Sequence, residues 1–216
     1  MKFWAIDSPV MRVLGRLGDI IILNMIFVVG CIPVITIGTS LSALYAVAMK
    51  MARGEDPSVW KEFWKAYKRN FRPATICWLV MAVIAILLFV DFRIIGVLKR
   101  GSESMYSIMR IVLAVILGMW MLMFQYLFPY IARFENTVKQ TLKNAFLLMI
   151  RHLPWALLLL VILIASALSI YIIPVLLVVI PAVASIVFDF ILERLFRRYM
   201  SPEDLAREEE NDMYAS

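Results

Sequence analysis

Charge is missing from most of this chain. Lys, Arg, Asp and Glu make up 18% of it, and four stretches (20–49, 74–90, 111–132 and 153–188) contain none. Histidine occurs once, at His152, and cysteine twice, at Cys31 and Cys77, without paired spacing. A multi-histidine metal site and a disulfide framework are thereby excluded, and the cysteines read as small buried hydrophobes. The serine-hydrolase elbow, the phosphate loop and the zinc-protease helix signature are also absent. The chain therefore reads as a non-enzyme, with no catalytic, cofactor-binding or metal-ligating residues.

What is present is apolar. Hydrophobic residues make up 63% of the sequence, with 14 Met and 6 Trp, and the mean hydropathy is +0.86. A soluble domain of this size cannot cover so much apolar surface with so few charges. Runs of this kind enter hydrocarbon only with every backbone amide satisfied internally, so the spans should be α-helices. The expected fold is all-α: a polytopic transmembrane helical bundle over 1–200, followed by an acidic tail at 201–216. The net charge of +6 is better matched to anionic lipid headgroups than to nucleic acid, because the basic residues cluster at the ends of the apolar runs. The segment Val28-Val29-Gly30-Cys31 resembles a lipoprotein cleavage site, but the chain after it remains apolar. The first run is therefore read as a retained anchor.

A hydrocarbon core of about 30 Å takes roughly 20 helical residues. Run 111–132 makes one crossing and 74–90 another. Run 153–188 is too long for one span and contains Pro174 near its middle, so it predicts a hairpin whose second helix starts at that proline. The first run is interrupted by Pro33 and Gly38. It predicts a helix over about 10–32, a break at 33–38 and a second helix over about 39–53. Two short crossings, a re-entrant hairpin and a single span all remain open for 19–49, giving five to six membrane segments with a broken first hairpin.

The 22 Lys and Arg test orientation. With a hairpin first segment, eighteen fall on the cytoplasmic side and four outside (Arg93, Lys99, Arg100, Arg110); with a single first span the split is fifteen against seven. The positive-inside rule favours the hairpin, with both termini cytoplasmic in the inner membrane. Either arrangement puts 50–72, 133–151 and the C-terminus inside the cell.

Three constellations stand out. From Asp56, read as an N-cap with Pro57 in the first turn, Trp60, Phe63, Trp64, Tyr67 and Phe71 fall on one helical face, while Lys61, Lys65, Lys68 and Arg72 take the other and Arg69 adds a further cation. This predicts an amphipathic interfacial helix, either a structural stirrup at the headgroups or a docking surface for a partner. Pro33, Thr36, Gly38, Thr39 and Ser40 gather a helix breaker, a close-approach residue and three hydroxyls. Such breaks line solute sites in transporters, and the same residues serve tight helix packing. Asp189 and Glu193, near the cytoplasmic end of the last apolar run, and His152 are candidate buried polar groups. They predict a network of Asp189 with His152 or Arg151, or an ordinary Glu193–Arg197 pair.

The ordered set Cys31-Ile-Pro33-Val-Ile-Thr36-Ile-Gly38, Ala43-Leu44-Tyr45, Arg53-Gly54-Glu55 and Phe63-Trp64-Lys65-Ala66-Tyr67-Lys68-Arg69-Asn70-Phe71 resembles the YesL-like bacterial membrane proteins. Phe128-Pro129-Tyr130, Ala132-Arg133-Phe134-Glu135 and Lys143-Asn144-Ala145-Phe146 extend the likeness over nearly the whole chain. Where that family commonly has a proline after the glycine, this chain has Thr39. The resemblance implies a domain of unknown function, often encoded beside carbohydrate-uptake permeases, with no catalytic residues to transfer. The expectation is a non-catalytic accessory or scaffold for carbohydrate ABC uptake, its partners being membrane lipids, permease subunits and further copies of itself. The alternative is a small oligomeric solute transporter or channel-like protein.

Overall fold

Helix and turn account for all regular structure in the computed structural model, which describes residues 9–97 and 103–200. The order is α1 (Pro9–Gly30), a 3-10 turn (Val34–Thr36), α2 (Ile37–Ala52), α3 (Val59–Val97), α4 (Glu103–Arg133), α5 (Val138–Arg151), α6 (Leu153–Ile172), a 3-10 turn (Pro174–Val178), α7 (Ile180–Phe196) and a last 3-10 turn (Arg197–Tyr199). The acidic tail, Lys99 and Arg100 lie outside the described residues.

The middle of the bundle is α2, the helix richest in small residues. It packs against α1, α3, α4 and α7, burying Gly38, Thr39, Ser40, Ser42, Ala43, Leu44, Val47, Ala48 and Met49. Four segments, Val34–Ala52, Val59–Ile95, Ser104–Arg133 and Leu153–Ile172, are long and apolar enough to cross a membrane. Their burial differs sharply: 56% of the most apolar stretch is interior in the first, against 17% in the second and 11% in the fourth. The outer helices therefore present large apolar side chains outward, among them Ile86, Leu87 and Phe89 of α3, Ile111 and Val115 of α4, and Val161 and Leu168 of α6. A water-soluble monomer rarely exposes contiguous apolar surface on this scale; hydrocarbon is the solvent that suits it.

Caps set the limits of the central helices. At the end of α2, Glu55 N–H donates to Lys50 C=O at 3.1 Å and Gly54 N–H to Met51 C=O at 3.0 Å. This is the Schellman arrangement, and Gly54 supplies its required positive φ of 84°. Thr137 and Gln140 form a reciprocal capping box at the start of α5.

The structure departs from the sequence expectation in two places. The aromatic-basic segment is the first third of α3, a single 39-residue helix about 58 Å long, and not a separate interfacial helix. Ser58, rather than Asp56, precedes its first turn, with Glu62 N–H donating to Ser58 C=O. Pro73 lies inside this helix, where a missing N–H would ordinarily weaken or kink it. Two side-chain pairs tie both sides of the proline to α2: Asn70 Nδ2 donates to Ser42 Oγ at 2.8 Å, and the Thr39 and Thr75 hydroxyls pair at 2.9 Å. The second departure is in the last hairpin, where Pro174 starts a 3-10 turn and not α7. Pro181 occupies the first turn of α7 instead.

Candidate functional site

The break between α1 and α2 exposes backbone carbonyls that a helix would have used. Their partners are found locally. Thr36 Oγ1 lies 2.8 Å from both Gly30 C=O and Pro33 C=O. Trp78 of α3 donates its indole N–H to Val34 C=O at 2.8 Å. One residue row further along, Thr39 Oγ1 reaches Phe71 C=O at 3.3 Å as well as Thr75. Of the five residues read as a break or solute site, Thr36 and Thr39 thus satisfy protein groups.

Gly38 sits in a close contact between helices. A Cβ there would lie 2.5 Å from Trp78 Cβ, 2.7 Å from the Ala74 carbonyl oxygen and 2.8 Å from Phe128 Cε1. Three helices meet on this glycine, with Trp78, Phe124 and Phe128 in edge-to-face contact beside it. Pro33 sits in extended conformation ahead of the 3-10 turn. Ser40 Oγ is buried beside the Cys31 thiol, held where a Cβ on Gly30 would come within 2.6 Å of it. The break is a packed, hydrogen-bonded joint.

A charge cluster forms where α2, α4 and α7 end together. Glu193 of α7 accepts from Arg133 Nη2 at 3.0 Å and lies 3.9 Å from Arg53 Nη1 and 3.8 Å from Arg197 Nε. Its side chain is 15% exposed, and that of Arg133 10%. Asp189, one turn deeper, is fully buried, and neither carboxylate oxygen has a hydrogen-bond partner among the described residues. The charges of Glu193, Arg53 and Arg133 act on it, and the Tyr45 ring stacks obliquely on the adjacent Phe188 at 6.4 Å.

The expected pairing of Asp189 with His152 or Arg151 is not made. Successive residues on a helix point about 100° apart; Asp189 turns inward, whereas Phe190, Ile191 and Arg194 face His152. His152 Nε2 pairs instead with Tyr199 OH at 2.9 Å, and the Arg151 guanidinium lies 5.5 Å over the Tyr199 ring. The expected Glu193–Arg197 pair is present. Sequence reasoning assigned no role to Arg53 and Arg133, although each closes an apolar helix at the level of an acidic residue on α7, which was the signal available.

Burial, then the neighbouring Arg151 and Arg198 charges, hold the His152 imidazolium below its ordinary pKa. The folded state therefore binds this proton less readily than the unfolded chain, and stability falls as pH drops below about 6.5, the ordinary histidine value. A His152→Gln variant is expected to lose that acid sensitivity while matching the parent at pH 8. Melting curves in detergent between pH 8 and 5 check this.

On the aromatic-basic segment, Phe63 is fully buried, packed with Leu23, Leu44 and Val47. Trp64 and Tyr67 are half-buried in a ring cluster with it, while Trp60, Lys61, Lys65, Lys68 and Arg69 are exposed. Its aromatic face is thus core at the centre and surface at the rim.

Residues 20–92 match the family model described as protein of unknown function, DUF624. This is the YesL-like family, so the resemblance is shown over the second half of α1, the joint, α2 and most of α3. No curated protein and no solved structure matches the chain.

Proposed function

We propose that this chain is a non-catalytic, multi-pass protein of the bacterial inner membrane that serves as an accessory or scaffold to carbohydrate ABC uptake. Its first two helices form a broken hairpin, giving five to six membrane segments and cytoplasmic termini. The observation that supports the scaffold reading is the packed joint at 30–39: the Thr36 and Thr39 hydroxyls and Gly38, which would serve a solute, are used by the protein itself. The orientation draws support from the meeting of Arg53, Arg133 and Arg197 at one end of the bundle, where the positive-inside rule expects cations. The carbohydrate link comes from the family resemblance. Purification from native membranes in mild detergent tests it: a stoichiometric permease or nucleotide-binding subunit is expected to accompany the chain, and its repeated absence rejects the role.

One feature favours the transporter reading. Asp189, Asn24 Oδ1 and Gln125 Oε1 are buried polar groups without hydrogen-bond partners among the described residues, and buried ionisable groups in membrane helices mark solute and proton paths. Solute flux in liposomes holding the purified chain, abolished by Asp189→Asn, would establish that reading in place of the first.

A further inference from the structure

At the cationic end of the bundle α6 and α7 leave a groove of about 220 Å³ between them, bordered by His152 and Trp155 on one side and by Phe190, Arg194, Leu195 and Arg198 on the other. It lies where the uncharged run 153–188 gives way to charged residues, the level at which headgroups meet hydrocarbon. We infer that this groove is a binding site for an anionic phospholipid, its phosphate between Arg194 and Arg198 and its acyl chains along the outer face of α7.

The first ground is charge without a partner. Arg194 and Arg198 stand one helical turn apart, a spacing at which like charges repel, and neither guanidinium enters an ion pair or a hydrogen bond among the described residues. The acids of α7 do not relieve them. Glu193 turns to Arg53 and Arg133 and reaches Arg197 at 3.8 Å, while Asp189 is fully buried. No carboxylate borders the groove from α6. Arg151, at the end of α5, lies 5.5 Å over the Tyr199 ring, and its charge acts on His152 together with that of Arg198. Forked guanidinium groups so placed are a donor set well suited to phosphate oxygens.

The second ground is the surface that leads to these arginines. Val183, Val187, Phe190, Arg194 and Arg198 follow at spacings of four, three, four and four, which puts them on one stripe of the helix. Val183, Val187 and Phe190 are all exposed, so an outward apolar strip ends at two cations. Trp155 is exposed on the facing helix, and its indole N–H has no acceptor among the described residues. An anionic head joined to apolar chains matches this strip, whereas a soluble phosphate makes no use of it. The groove is smaller than the roughly 300 Å³ at which sites for drug-sized molecules begin, which suits a phosphate and its glycerol atoms while the chains stay in hydrocarbon. Basic pockets between membrane helices hold anionic headgroups by this combination. The site is independent of the scaffold role: an importer accessory and a transporter can each carry it.

The test uses the full chain in phosphatidylcholine nanodiscs containing a minor share of phosphatidylglycerol, with retained lipid counted by native mass spectrometry. Phosphatidylglycerol is expected to be retained in preference to phosphatidylcholine. Arg194→Gln with Arg198→Gln should lower that retention roughly tenfold, and either change alone roughly threefold. Lys61→Gln with Lys68→Gln removes the same charge at exposed positions outside the groove and should leave retention within about twofold. Both double variants should melt with the parent in pure phosphatidylcholine, since none of the four side chains enters a described ion pair. Phosphatidylglycerol should then raise the melting temperature of the parent and not that of the arginine variant. No preference for phosphatidylglycerol overturns the inference. So does an equal loss in the two double variants, which would leave only diffuse attraction, and so does displacement of the lipid by glycerol phosphate, which would assign the groove to a soluble anion.

Discussion

Gly38→Ala is expected to destabilise the bundle by roughly 3 kcal/mol, the upper end of the range for overpacking a filled interior. One methyl group is enough because two of the three atoms it meets cannot swing away: the Ala74 oxygen is backbone, and Trp78 Cβ is fixed to the α3 main chain. Relief requires α2 to move off α3, which stretches the Thr39–Thr75 and Asn70–Ser42 hydrogen bonds together. Gly118→Ala is the control. No atom lies within 4 Å of its Cβ position, and a change within about 0.5 kcal/mol is expected. Thermal unfolding in mild detergent separates the two, and equal tolerance at both glycines would show that the joint is not packed as described.

Glu193→Ala is expected to cost about 3 kcal/mol. The loss would come less from the missing attraction than from the largely buried Arg133 and Arg53 left beside a vacated acceptor. Replacing both members of the closest pair by apolar residues of similar volume, as in Glu193→Leu with Arg133→Met, should recover much of that loss, since desolvation of both charges is then avoided. Arg197→Ala removes only the half-exposed partner and should cost less than about 1 kcal/mol. A double-mutant cycle on melting curves reads all three. If Glu193→Ala proves as mild as Arg197→Ala, the cluster does not organise the end of the bundle.

Much of the architecture follows from simple patterns. Uncharged runs gave the outer helices, and the break read at 33–38 lies where α1 ends at Gly30 and α2 begins at Ile37. The same pattern misled at Pro73, because a proline between a basic segment and an apolar run looks like a boundary. The helix runs through it between contacts that spacing does not reveal: Asn70 of α3 donates to Ser42 Oγ, and Thr39 donates to Phe71 C=O. The joint residues were visible as a group, but one-dimensional spacing does not tell whether a hydroxyl faces a solute or a neighbouring carbonyl. Asp189 shows the same limit: adjacent positions on α7 face opposite neighbours, and the cations that act on it, Arg53 and Arg133, lie more than fifty residues away in sequence. The four membrane-long segments and the family match over 20–92 agree with the helical membrane class that composition demanded.

Orientation in the lipid is tested most directly by labelling single cysteines in intact cells with a membrane-impermeant maleimide. Cys31 and Cys77 are first replaced by alanine. Ser104→Cys, at the start of α4, is then expected to label from outside, and Ser58→Cys, ahead of α3, only after the membrane is permeabilised. The opposite pattern, or labelling of both positions from outside, would contradict a bundle whose cationic end faces the cell interior.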